Sequence, residues 1–184
     1  LMGERFIAFH LSGGTTDALL VEPGEPVFTV TPAARSLDLK AGQAVDRVGL
    51  MLGLTFPCGP SLSALAESCH EPIKVRPTMK GADCCLSGIE NQCRKLLDSG
   101  KPPAYVARYC LISIEAALEG MTKALLERYG PLPLVYAGGV MSSSVIRPYF
   151  ERKYGGYFAE PAFSSDNAAG IALLAAVSAG ESVR

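Results

Sequence analysis

"HLSGGTTDALLV", residues 10–21, sets two glycines between two runs that otherwise read as strands. The β-branched and aromatic residues from Arg5 to Leu11 predict one strand, and the alternation from Thr15 to Val21 predicts a second. After a turn at Pro23 and Gly24, "PVFTVTP" (26–32) supplies a third, so the chain opens as an antiparallel meander. Gly13 and Gly14 also leave peptide N–H groups free of side chains, ringed by the hydroxyls of Ser12, Thr15 and Thr16. Such a turn suits a phosphate or a carboxylate. An ordinary hairpin turn also accounts for the glycine pair, with Asp17 as a solvated strand residue.

Beyond the meander the period changes. Ala41, Val45, Val48, Met51 and Leu52 recur at helical spacing within 39–54, with Gly53 near the stop. "FPCGPSLSALAESC" (56–69) reads as a turn capped by Ser61 and a short helix. The next stretch carries turn-formers and short apolar runs, so residues 69–102 are read as an inserted subregion around a hairpin, with a helix starting near Ser87. A long amphipathic helix follows over Ala104–Tyr129, stopped by Gly130. The last third reads strand (132–140), helix (141–154), short strand (156–160) and small-residue helix (164–180). A meander followed by strand–helix repeats is a mixed-sheet α/β layout with helices on both faces.

The 184 residues, 48% hydrophobic, suffice for one domain with a core. A formal charge of −1 provides no global cationic field to gather nucleic acid, which leaves a local basic patch as the route to such a partner. Six cysteines (Cys58, Cys69, Cys84, Cys85, Cys93, Cys110) lack zinc-knuckle spacing and read as reduced thiols of a cytoplasmic protein. No run approaches the ~20 apolar residues of a membrane helix. Leu1 precedes the first methionine and a strand begins almost at once, so the chain reads as the later portion of a longer one or as carrying an added first residue.

"VYAGGVMSSS" repeats the glycine logic at Gly138 and Gly139, where an apolar strand runs into a helix whose first turn carries serines. A helix N-terminus there offers free amides to an anion or nucleotide, although serine capping explains the residues too. The stretch lacks both G-x-G-x-x-G and a P-loop lysine. Asp46 heads a stripe with Gly49 and Gly53, which admits either a large ligand or close helix packing. Asp166 stands where a carboxylate caps a helix. His10 and His70 are the only histidines; His10 reads as a packed or hydrogen-bonded strand residue, and no Ser-His-Asp or Cys-His order appears.

Taken in order, "HLSGGTTDALLV", "AVDRVGLMLGLTFPCGPSLSALA", "LSGIENQ", "LVYAGGVMSSSVIR" and "FSSDNAAGIALLA" resemble the later domain of the threonylcarbamoyladenosine synthase family, long labelled O-sialoglycoprotein endopeptidase or glycoprotease. The resemblance runs from about Phe6 to Ala176. It implies an actin-like, sugar-kinase-like ATPase fold of two ribonuclease-H-like halves, with residues 1–184 the second. It also implies transfer of a threonylcarbamoyl group from threonylcarbamoyl-adenylate to an adenosine of transfer RNA. Carried over by position, Leu11, Ser12, Gly13 and Gly14 line the phosphate, Asp46 and Gly59 meet the sugar, and Ser143 approaches the nucleoside. Thr15 completes the first loop, and Gly138 and Gly139 form the second. Asp166 ligates a divalent metal, iron or zinc, one per full-length protein.

Two departures stand out. Thr15 replaces the family's usual histidine in SGGH, and Ser143 its usual asparagine. The family's H-x-x-x-H metal pair belongs to its first domain, so the chain alone is expected to hold no catalytic residue and to be inactive. The implied partners are transfer RNA and paralogous subunits of a modifying complex, with neither DNA nor membrane. Two alternatives accompany this reading: a non-catalytic paralogue that scaffolds a transfer-RNA-modifying complex, and an ATP-dependent kinase of the same superfamily using Asp46 or Asp17. No nucleophile or zinc-protease motif supports the endopeptidase label.

Overall fold

A computed structural model describes residues 3–25, 27–160 and 168–180. The meander forms as read: β1 (Phe6–Leu11), β2 (Thr16–Pro23) and β3 (Phe28–Arg35) pair antiparallel. Between β3 and the next strand of this sheet come α1 (Ala41–Met51), α2 (Gly59–Glu67), the hairpin β4–β5 (Thr78–Lys80, Asp83–Cys85), α3 (Ser87–Asp98) and α4 (Pro103–Tyr129). The chain then returns as β6 (Leu134–Ala137), which lies parallel to β1, followed by α5 (Ile146–Lys153), β7 (Tyr157–Phe158) and α6 (Ala168–Ser178). The sheet order β3-β2-β1-β6-β7, antiparallel on one side and parallel on the other, is the ribonuclease-H-like arrangement.

Period-two alternation decides which side of the sheet holds the core. Ile7, Phe9 and Leu11 of β1 are buried, as are Ala18 and Leu20 of β2 and Leu134 and Tyr136 of β6. Against this face α4 lays a stripe that includes Val106, Cys110, Ile114, Ala117, Met121 and Leu125, at three- and four-residue spacing. Two hydroxyls within that buried stripe are satisfied locally, Ser113 donating to the Tyr109 carbonyl and Thr122 to that of Leu118. Tyr136 stacks on Phe9 and Phe158, with ring centroids 5.4 and 4.7 Å apart, and meets Phe150 of α5. Helices α1 to α5 all feed this one core. Of the two-sided helix cover expected, they supply one side. The other face carries half-buried Ala8, Leu19 and Val135 and exposed His10, while α6 leaves Ile171, Leu173 and Leu174 exposed.

The carboxylate of Asp38, just after the meander, ties down the hairpin's end and the start of α3. Asp38 accepts from the Leu39 amide at 2.6 Å, the Leu86 amide at 2.7 Å and the Ser87 hydroxyl at 2.5 Å. Desolvation opposes its charge, yet these donors outweigh it and hold the carboxyl below its ordinary range. On α4 the balance reverses for Glu115. Burial, reinforced by the neighbouring Glu119 carboxylate, pushes it up to about 7. Glu119 is desolvated as well, but Lys123 and Lys153 donate to it and bring it to about 2.

Two outcomes follow from these carboxylates. Asp38→Ala should lower stability by about 2 kcal/mol in urea titration. Its contribution in the wild type is present above the unfolded value near 3.8 and fades as pH falls through the lower folded value. Glu115 binds its proton more tightly when folded, so its linkage makes stability fall as pH rises from 4.5 to about 7. Glu115→Gln should remove that slope and stabilise the protein by about 1–2 kcal/mol at alkaline pH, read by thermal melts across the range.

Candidate functional site

Parallel pairing places the ends of β1 and β6 side by side, with His10 opposite Ala137. The two glycine loops therefore leave the same edge of the sheet. They touch through Gly138, whose φ of +95° only glycine adopts freely and where a Cβ would lie 2.2 Å from the Leu11 carbonyl oxygen. On the other side of the first loop, Gly42 of α1 donates its N–H to the Ser12 carbonyl at 3.0 Å. A Cβ on Gly42 would sit 2.5 Å from the Gly13 nitrogen. The preceding amide, Ala41, donates to the Thr16 hydroxyl at 2.8 Å, so the start of α1 is seated on the turn.

The turn itself is more self-contained than a row of outward amides. Ser12 donates its N–H to the Thr15 carbonyl at 2.8 Å, and its Oγ accepts from the Gly14 and Thr15 amides at 3.3 and 3.1 Å. Of the two glycine amides expected to be free, that of Gly14 thus turns inward, which corrects the reading from sequence. The Gly13 N–H keeps no partner among the described residues. Gly13 and Gly14 are exposed, and no atom lies within 4 Å of where their Cβ atoms would stand.

A second arm reaches the site through α1. Asp46 accepts from the Cys58 amide at 2.9 Å and thereby pins the turn that launches α2. The glycine stripe below Asp46 has a packing purpose: a Cβ on Gly49 would lie 2.3 Å from that of Cys58, and Gly53, at φ +80°, ends the helix region. Burial and the Asp46 charge together raise the Cys58 thiol. Helix α2 begins at Gly59 with no side-chain cap, so its first amides are unclaimed by a capping group, and the space beside Gly59 is open. Ser61 falls inside this helix rather than at its cap.

From α2 the arm closes on the second loop. Ser63 and Ser143 share a buried hydrogen bond of 2.9 Å, and Ser144 bonds to Glu67. The helix expected directly after the glycines is interrupted: a one-turn 3₁₀ helix spans Gly139–Ser142, Ser143 is extended, and α5 begins at Ile146. Ser143 breaks the run because its Oγ is committed to Ser63 and to the Val145 amide. The space beside Gly139 is open, as it is beside Gly13, Gly14 and Gly59.

Contacts thus link the first loop, Leu11 to Thr15, to Gly138 and, through α1 and α2, to Asp46 and Ser143, with Gly59 and Gly139 beside them in sequence. Asp166 lies outside the described residues. Among the described residues, no group of three His, Cys, Asp or Glu side chains converges as a metal site requires. Sequence reasoning overlooked three participants. Gly42 and Cys58 carried no signal beyond composition, and His10, expected in a packed or bonded setting, is exposed beside Gly138, 2.8 Å from where its Cβ would be.

The family model described as TsaD, tRNA N6-adenosine threonylcarbamoyltransferase, matches residues 5–173. Among curated relatives, the protein of that name from Chloroherpeton thalassium is 28% identical over 92% of this chain and 54% of its own length. Those of two strains of Thermus thermophilus are each 32% identical over 92% of this chain, covering 53% and 52% of their lengths. The chain therefore spans about half the length of the curated relatives it matches.

The seating of α1 on the turn is directly testable. Gly42→Ala should push the new methyl into the Gly13 backbone and cost about 2 kcal/mol in denaturant titration, whereas Gly139→Ala, facing open space, should cost under 1 kcal/mol.

Proposed function

The chain belongs to the tRNA N6-adenosine threonylcarbamoyltransferase family, and on that footing we propose that it is the nucleotide-binding half of such an enzyme. The full protein then transfers a threonylcarbamoyl group from threonylcarbamoyl-adenylate to an adenosine of transfer RNA. Residues 1–184 form the second of its two ribonuclease-H-like halves. The observation that carries this reading is the meeting of two glycine loops at one sheet edge, through the Gly138 to Leu11 contact.

In this reading the first loop, Leu11 to Thr15, faces the phosphate and the Gly13 N–H is its free donor. The open space at Gly14, Gly59 and Gly139 admits the nucleotide without side-chain clashes. The uncapped start of α2 adds positive potential near the sugar, and the second oxygen of Asp46 stands beside it while the first holds Cys58. Amides oriented in advance stabilise charge that develops on an oxygen without reorganising. Asp166 is one ligand of a divalent iron or zinc ion, and the remaining ligands come from the part of the relatives this chain does not span. Such a metal supplies Lewis-acid polarisation. Transfer RNA and paralogous subunits are the partners, in the cytoplasm.

The burial of Ser143 favours a second reading. With its hydroxyl spent on Ser63 it offers little to a nucleoside, as suits a non-catalytic paralogue that retains the nucleotide crevice within a transfer-RNA-modifying complex. A threonylcarbamoyl-transfer assay with the full-length protein separates the two.

Calorimetry on the full-length protein with ATP and with an adenylate analogue tests the crevice. Gly13 does not sit at positive φ and faces open space, so Gly13→Val should fold normally while weakening nucleotide binding at least tenfold. Unchanged affinity in that variant, or no binding by the wild type, would remove the proposal.

A further inference from the structure

We propose that the segment from the end of α2 through β4 is a phosphate-backbone track for an RNA, read by Lys74, Arg76 and Lys80. The inference deepens the transfer-RNA reading and rests on it for the identity of the polyanion. From Pro72 to Lys80 burial alternates strictly with period two, the signature of an extended run lying on a surface. Ile73, Val75, Pro77 and Met79 turn inward and are half-buried, while Lys74, Arg76, Thr78 and Lys80 are exposed. Met79 anchors the run on α4, its sulfur 2.9 Å from where a Cβ on Gly120 would stand.

The three cations are free. None of their side chains takes part in a hydrogen bond or ion pair among the described residues. The two acids nearest them in sequence have closer partners. Glu71 pairs with Lys101 at 3.2 Å, and Asp83, which faces Lys80 across the hairpin, accepts instead from the Arg35 amide at 2.8 Å. A chain of net charge −1 thus carries three exposed basic side chains without an ion pair along one anchored run. Alternate residues of an extended strand are about 6.6 Å apart. The Lys74–Arg76 step is therefore comparable to the distance between neighbouring phosphates of one nucleotide strand, and the step of four residues from Arg76 to Lys80 spans about twice that. Holding the stems in place lowers the ordering cost of contact, and each phosphate neutralised releases counterions.

The test is binding of an unmodified transfer RNA transcript to the full-length protein, by fluorescence anisotropy over a salt series. The triple variant Lys74→Ala, Arg76→Ala, Lys80→Ala should weaken binding about tenfold and flatten the slope of log K against log salt by about 2. A control triple, Arg5→Ala, Arg128→Ala, Arg152→Ala, removes the same charge from other surfaces and should bind as the wild type does. Wild-type affinity and slope in the first triple, an equal loss in both, or no RNA binding by the wild type would overturn the track. So would preferential binding of phosphatidylserine vesicles through the same three residues. ATP titration of each preparation keeps the two proposals apart. Loss of nucleotide binding with an intact salt slope would count against the crevice alone, and the converse against the track alone.

Discussion

The parallel pairing of β1 with β6 is the constraint on which the site depends. These strands are far apart in sequence, and their alignment brings two chain reversals to a single edge, with the Leu11 carbonyl against Gly138. At that point there is no room for a side chain, and a positive φ is required. A β-carbon at residue 138 would force the strands apart or move the loop, so the glycine is demanded by packing before any ligand is considered.

From that contact a closed circuit of short-range interactions fixes the cleft. Gly42 seats α1 on the first turn, Asp46 ties α1 to the Cys58 turn, and α2 carries Ser63 to Ser143, which stands just beyond the second glycine loop. Each link is a close backbone approach or a hydrogen bond at least partly buried, the kind of contact that tolerates little displacement. The circuit also sorts the glycines around it. Gly13, Gly14, Gly59 and Gly139 face space, whereas Gly42, Gly49 and Gly138 are filled by neighbouring chain. Two populations of glycine thus share one region, one admitting neighbouring chain and the other facing open space.

Electrostatics follow the same division between scaffold and surface. Asp38 and Glu119 hold their charges through several donors, and Glu115 resists ionisation because its surroundings offer less compensation. These groups stabilise or tune the core. The exposed cations without an ion pair lie instead along the run that leads into and through β4, where side chains alternate outward from an anchored run.

Much was legible without coordinates because it is local. Alternation in β1 and β2, the stripe on α4 and the stops at Gly53 and Gly130 follow from periodicity and from φ preferences, which neighbouring residues determine. The order of five motifs identified the family for a related reason, since each motif is contiguous. What needed the tertiary structure was every choice that depends on a distant partner. Whether Gly49 faced a ligand or Cys58, whether the SGG amides pointed out or in, and whether Ser143 capped a helix or bonded to Ser63 were open in the sequence. The same residue types serve either purpose, and only long-range packing, set by the β1–β6 pairing, decides which atoms meet.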